Sequence, residues 1–382
     1  AFRNSPSILP LIEEAYRLMA QESLYAGINT IFAPVMDLQS NPLNPIISIR
    51  SYGDDPEIVS RLGTTMIRVF KEEGILSCAK HFPGHGDTDT DSHHGLPVLR
   101  KTADELMRYE LIPFMRAIQR GVPMIMMGHI LAPAIDPERP VSISEKAVRF
   151  LRDRGFDGLI ITDAINMGAL AGYGEIKASV MALSGGVDLI LHPEEPHRVA
   201  QALSHLPIQG SGLDLLLNLK PQSHEIDLSF IHERAGFISR KIYEKALTVE
   251  GDIPGISSAF FVILDDELNA SAVSRRKADF LIKSLGLRSK DYVYLNDKDD
   301  LKDIPSGRKI VLCVFSRPGA FKRRNPFFRG LLDYLVPLSA LLISFGNPFV
   351  LHGYHGNKVY IYDDTLIAQT VTADLLRPFL HH

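Results

Sequence analysis

Residues 155–170 read GFDGLIITDAINMGAL, and the fold turns on their first half. The apolar run Leu159-Ile160-Ile161-Thr162 follows Gly158 and ends at Asp163. The run does not alternate apolar with polar residues. That is the pattern of a strand covered on both faces, as in a parallel sheet. A carboxylate flanked by Ile160, Ile161 and Ala164 gains nothing from packing, and its other use would be to cap the next segment. Outward from this stretch the arrangement repeats. Ile31–Met36 ends at Asp37, Ile75–Ala79 at Lys80, Met124–Met127 near His129, and Val187–Leu191 at His192.

Helical patterns separate these runs. The spacing predicts helices over 7–26, from Asp55-Pro56-Glu57 to Gly74, over 102–119, and near 144–154, 175–184 and 196–204. Asp55 suits an N-cap with Pro56 in the first turn, and Ile58, Leu62, Met66 and Phe70 make one buried face. Thr102 and Glu105 have capping-box spacing, and Pro113 is expected to kink or split the helix that follows. Strands alternating with helices specify parallel βα units. Both a (β/α)8 barrel and a doubly wound sheet set polar residues at strand C-terminal ends. Five such strands are legible in this sequence, against the eight that close a barrel.

Residues 206–250 read as a connector, and a second, smaller α/β sandwich domain is expected over 251–382. Its strands fall at Phe260–Leu264, Tyr292–Tyr294, Lys309–Phe315, Leu341–Phe345 and Lys358–Tyr362, with helices near 271–285, 327–336 and 365–378. No Gly-rich phosphate loop occurs in it. The 382 residues are 45% hydrophobic and 23% charged, which excludes a disordered chain, and the net charge of −4 gives no basic field for nucleic acid. No apolar run reaches transmembrane length. Cys78 and Cys313 are the sole cysteines, too few for a disulfide framework or a cysteine zinc site.

The chemistry concentrates in KHFPGHGDTDTDSHHGLP, Lys80–Pro97, which holds four His and three Asp after a buried strand. Asp87-x-Asp89-x-Asp91 imitates a calcium loop, but the sixth and twelfth positions are Ser92 and Val98 and not Gly and Glu. A transition-metal hydrolase could use His81, His85, Asp91 and His93, although Pro83 and Gly84 break the helix that two histidines four apart normally need. In the acid–base alternative, Asp91 orients His93, which gives a proton to a leaving oxygen, and Asp163 is the nucleophile.

These motifs resemble glycoside hydrolase family three, in its β-N-acetylglucosaminidase branch. KHFPGHGDTDTDSH and GFDGLIITDAINMGAL carry the resemblance, joined by FAPVMDLQSNPLNP and ISIRSYGDDP between Phe32 and Pro56, and it covers residues 1 to about 205. SFGNPFVL, Ser344–Leu351, is similar to the second domain of two-domain members. The resemblance implies a (β/α)8 TIM-type barrel as catalytic domain over 1–205, with its first three strands and an upstream Asp-Gly-Gly turn missing from this sequence. It implies Asp163 as nucleophile, Asp91 and His93 as acid/base dyad, and Arg50, Lys80 and His81 as sugar ligands. His85 and Asp87 would shape the loop, and Asp37 and His129 would line the floor.

The activity so implied is retaining removal of terminal N-acetylglucosamine from peptidoglycan-derived muropeptides or chitooligosaccharides, without metal or other cofactor. A phosphorylase on the same site, a non-catalytic sugar-binding homologue and a metal-dependent hydrolase are the alternatives. The expected partner is a small carbohydrate, with no nucleic acid and no membrane span. A chain that begins Ala1-Phe2-Arg3 without Met leaves the compartment open between the cytoplasm and a secreted or lipid-anchored form.

Overall fold

The computed structural model describes residues 6–88, 92, 95–206, 227–267, 277–317 and 325–380. The chain folds as two compact units, Glu13–Ile231 and His232–His382, the second joined by the start of the chain up to Ile12.

The chain runs through α1 (Leu9–Tyr25), β1 (Thr30–Ile31), α2 (Pro56–Glu73), β2 (Leu76–Phe82), α3 (Ala103–Arg108), α4 (Leu111–Gln119) and β3 (Met124–Met127). It continues with α5 (Glu145–Arg152), β4 (Leu159–Ala164), α6 (Glu175–Ser184), β5 (Leu189–Leu191) and α7 (Pro196–Leu203). The five strands lie in chain order, and every neighbouring pair is parallel. A doubly wound sheet reverses direction at a switch point. This sheet does not, so it is a parallel half-barrel wound one way.

Local chemistry explains the element boundaries. Asp55 caps α2 through Glu57 N–H and Ile58 N–H, and Gly74 ends it in the left-handed region. Thr102 and Glu105 close a capping box on α3. The helix expected over 102–119 is split at Tyr109–Glu110, and Pro113 sits in the first turn of α4, where its missing N–H has no intrahelical partner to lose. The first strand is shorter than the expected Ile31–Met36. Pro34 cannot donate to a ladder, so beyond Ile31 only the isolated bridge Val35–Lys80 continues the pairing.

Strand pleating sorts the side chains. Ala79, Ile125, Met127 and Ile160 face the helices in one core that includes Phe114, Leu151 and Ala182. Cys78, Met124, Met126, Leu159 and Ile161 form a second cluster on the other face, with Leu189 and Leu191 packed against it. Lys80 shares the parity of Cys78, and Asp163 that of Leu159 and Ile161. The pleat alone therefore carries both charged residues to the inner face.

The second unit contains α8 (Leu228–Ala246) from His232 on, β6 (Thr248–Glu250), β7 (Phe260–Asp265), α9 (Asp279–Leu285), β8 (Tyr292–Leu295), β9 (Ile310–Ser316), α10 (Phe328–Leu335), β10 (Ser339–Gly346), β11 (Lys358–Ile361) and α11 (Leu366–Leu376). Its sheet has the order β6-β11-β10-β9-β7-β8, parallel except for the β11–β6 pair. Clusters built on Phe261, Cys313 and Ile343 and on Val262, Leu312 and Leu342 cover its two faces. Residues 271–276 of the helix expected near 271–285 lie outside the described residues. No described helix is long and apolar enough to cross a membrane.

Candidate active site

A cavity of about 430 Å³ opens at the C-terminal ends of β2 to β5. Lys80 and His81 come from β2, Met126 from β3, Asp163 and Ala164 from β4, and Leu191 and His192 from the end of β5. Arg50 and Ile46 reach it from the loop after β1, and His85 and Ser92 from the loop after β2. Lys80 and His81 are neighbours on one strand, both line the cavity, and the peptide between them is cis.

Below the cavity lies Asp37, fully buried and absent from its lining. Its Oδ1 accepts the N–H groups of His81 (3.1 Å) and His85 (2.8 Å), and its Oδ2 accepts His81 Nδ1–H at 2.8 Å. Burial works to raise this carboxyl, but the His81 and His85 rings and these hydrogen bonds outweigh it and hold Asp37 below the ordinary carboxylate range. An ionised Asp37 fixes Nδ1 of His81 as a donor. Nε2 is then the acceptor, and Arg50 Nη2 stands 3.4 Å from it. Carboxylate, imidazole and guanidinium thus form one chain leading to the cavity wall.

His85 is buried, and both its ring nitrogens are engaged. Thr88 Oγ1 spends its proton on the His85 carbonyl (2.9 Å), so it accepts from His85 Nδ1–H at 2.7 Å. Nε2 is left to accept from Ser92 Oγ at 3.2 Å. Burial first, and the neighbouring His81 ring second, push the His85 imidazole down to about 4, so it is neutral at physiological pH. Asn44 donates to the carbonyls of His85 and Thr88, both at 2.8 Å, and ties the Asn- and Pro-rich loop after β1 to the loop after β2. Two glycines make that contact possible. Gly84 has φ +122°, and a Cβ on Gly86 would stand 1.6 Å from the Leu38 carbonyl oxygen. Asp87 turns away from the cavity toward Ser40 Oγ (3.2 Å) and Lys101 Nζ (3.4 Å), and Lys101 also meets the buried Glu110 at 2.9 Å.

Asp163 is half-buried at the cavity wall, and its Oδ1 accepts Ala164 N–H at 2.8 Å. Burial would raise its carboxyl, but the neighbouring His81 and His129, the Ala164 N–H and Lys80 together keep it below its usual value. Lys80 is lowered in turn, by burial and then by Arg50, with Asp163 opposing. His129, expected on the floor, is buried behind the wall, bonded to Ser142 and to the Ala164 carbonyl. Asp91 and His93 lie outside the described residues. Ser92 between them is described, and its carbonyl accepts Ala169 N–H at 3.0 Å.

Among the described residues no group of three or more His, Cys, Asp or Glu is arranged to hold a metal ion. His81 and His85 stand with ring centroids 6.2 Å apart, and each has both nitrogens committed. Phe32 and Met167 line the cavity without a strand-end position or charge to mark them in the sequence, and His192, marked there only as the residue that ends its strand run, lines it too. His192 holds φ 52°, which no local sequence pattern announces.

Carboxylate, lysine and arginine gathered at the C-terminal ends of a one-way parallel βα sheet define the class: an α/β-barrel type of site. The glycosyl hydrolase family 3 N-terminal domain matches residues 2–215, over half of the chain, and the chain belongs to that family. It is 37% identical over 182 residues to beta-hexosaminidase A of Pseudoalteromonas piscicida, covering 44% of this chain and 30% of that protein. It is 36% identical over 205 residues to a beta-hexosaminidase of Chromobacterium violaceum, covering 52% and 57%. The chain therefore spans less than two thirds of the length of these relatives. A family 3 beta-N-acetylglucosaminidase from Paenibacillus sp. str. FPU-7 superposes with TM-score 0.81 at 28% identity, over 97% of this chain and 78% of that one.

Proposed function

We propose that the protein is a retaining β-N-acetylglucosaminidase acting on terminal N-acetylglucosamine of muropeptides or chitooligosaccharides. Its catalytic domain is the half-barrel unit, which ends at Ile231, and the second domain takes in α8 from His232 and strand β6 ahead of residues 251–382. An Asp163 oxygen attacks the anomeric carbon while the bond to the leaving oxygen breaks and His93, oriented by Asp91, protonates that oxygen. Water then adds to the glycosyl-enzyme, giving its proton to His93 and releasing Asp163. Arg50, Lys80 and His81 hold the sugar, His85 and Asp87 shape the loop, Asp37 supports from below and His129 from behind the wall. No cofactor takes part.

The observation that carries this reading is the Asp163 carboxylate, held below its usual pKa with Lys80 beside it and anchored through one oxygen at the cavity wall. A nucleophile needs that state. The test is turnover of aryl β-N-acetylglucosaminides, with mass-spectrometric capture of a 2-fluoro-sugar ester on Asp163. A label on another residue, or no turnover, removes the assignment. His93→Ala should cost about 10²–10⁴-fold on poor leaving groups and much less on activated phenols. Sugar 1-phosphate formed in phosphate buffer would change the activity to phosphorolysis.

A further inference from the structure

Behind the wall that carries Asp163 runs a second line of hydrogen bonds. His129 Nε2 lies 2.9 Å from the Ala164 carbonyl oxygen. A carbonyl only accepts, so Nε2 carries the proton. On the other side of the ring, Nδ1 lies 2.7 Å from Ser142 Oγ. In a neutral imidazole Nδ1 is then bare, and Ser142 donates to it. Ser142 is fully buried and His129 is 1% exposed, so water does not compete for either contact. The same residue that accepts from His129 through its C=O gives its N–H to Asp163 Oδ1 at 2.8 Å.

We propose that Ser142 and His129 are positioning residues for the nucleophile: Ser142 fixes the His129 tautomer, His129 pins Ala164, and Ala164 sets the orientation of the Asp163 carboxylate. This rests on Asp163 being the nucleophile. The pleat explains why Asp163 faces inward, but it does not fix rotation of a carboxylate at the end of a strand. A small rotation moves the attacking oxygen out of line, and misplacement on that scale costs rate without weakening sugar binding.

The test uses the full chain. His129→Leu removes the donor, His129→Gln keeps an N–H at the Nε2 position with no tautomer to lock, and Ser142→Ala removes the lock alone. Expected are a loss of about 10²-fold in kcat for His129→Leu and about fivefold for Ser142→Ala, the worth of one neutral hydrogen bond. KM should hold, and the loss should be equal on poor and activated leaving groups, because protonation is untouched. His129→Gln should recover most of the rate, and Ser142→Ala should cost nothing further in that background.

Nitrogen-15 NMR of labelled histidine supplies a readout independent of turnover: His129 should be the Nε2–H tautomer in the native chain and a mixture in Ser142→Ala. A native Nδ1–H tautomer, an unchanged kcat in Ser142→Ala with native 2-fluoro-sugar labelling rates, or a loss confined to poor leaving groups overturns the relay. If His129→Leu does not fold, Ser142→Ala decides. If native enzyme forms no ester on Asp163, the nucleophile assignment fails, and the tautomer measurement still judges the hydrogen-bond line.

Discussion

Both units put charged residues at the C-terminal ends of parallel strands, yet they use them in opposite ways. In the second unit the charges neutralise one another. Lys277 bridges Asp265 and Glu267 at 2.9 and 2.7 Å, Arg317 pairs with Asp363 and Asp364, and Ser316 bonds Asp266 at 2.6 Å. Burial there raises the Asp265 and Asp364 carboxyls despite Lys277 and Arg317. In the first unit burial also pushes Asp163 upward, but His81, His129 and Lys80 act on it through space and reverse the outcome. A carboxylate that is ionised by neighbours it does not pair with keeps an oxygen available for chemistry; one locked in an ion pair does not.

The contrast can be broken most directly by exchange of effects. Asp163→Ala should lower kcat on aryl N-acetylglucosaminides by at least about 10⁴-fold, whereas Lys277→Met should leave kcat within about twofold. A comparable loss from Lys277→Met would dissolve the distinction. Lys80→Met should reduce kcat/KM by about 10–100-fold, the range of one charged hydrogen bond. It should also move the acid limb of the pH–rate profile upward, because a carboxylate that loses a nearby cation binds its proton more tightly. A limb that stays in place would mean that Lys80 does not act on Asp163.

Smaller effects concern stability. His85 titrates near 4 when folded and near its ordinary value of about 6.5 when unfolded. Between these values the unfolded chain binds the extra proton, so stability is full above about pH 6.5 and falls as pH drops toward 4, by about 3 kcal/mol at most. His85→Gln should flatten that slope in denaturant titrations of the first unit's transition. The smallest shift is expected from Lys277→Met, about 1–3 kcal/mol for leaving Asp265 and Glu267 without their shared cation, read as a lower Tm.

Much of the architecture was legible because strand burial leaves a composition signature. Leu159–Thr162 and Met124–Met127 read as doubly covered strands and are so. β6 was missed because Thr248-Val249-Glu250 is short and mostly exposed, with no pattern to distinguish it from a turn. β1 shrank because an apolar run says nothing of the N–H that Pro34 lacks. At the site, residue type and strand-end position drew attention to Lys80, His81 and Asp163, which share one cavity. The contacts of Asp37 with His81, separated by 44 positions, and of His129 with Ala164, separated by 35, are tertiary and leave no local trace. Ser142 is likewise an ordinary serine until the fold brings it to His129.

The glycine at position 86 sets a limit on change in this molecule. Its α-carbon lies flush against the peptide oxygen of Leu38, with no room for even a methyl group. Any larger residue there must pry apart the two loops that deliver Arg50 and His85. Remodelling the rim for a bulkier sugar is therefore a two-loop operation, in which lengthening one segment without recutting the other displaces the ligands it was meant to keep.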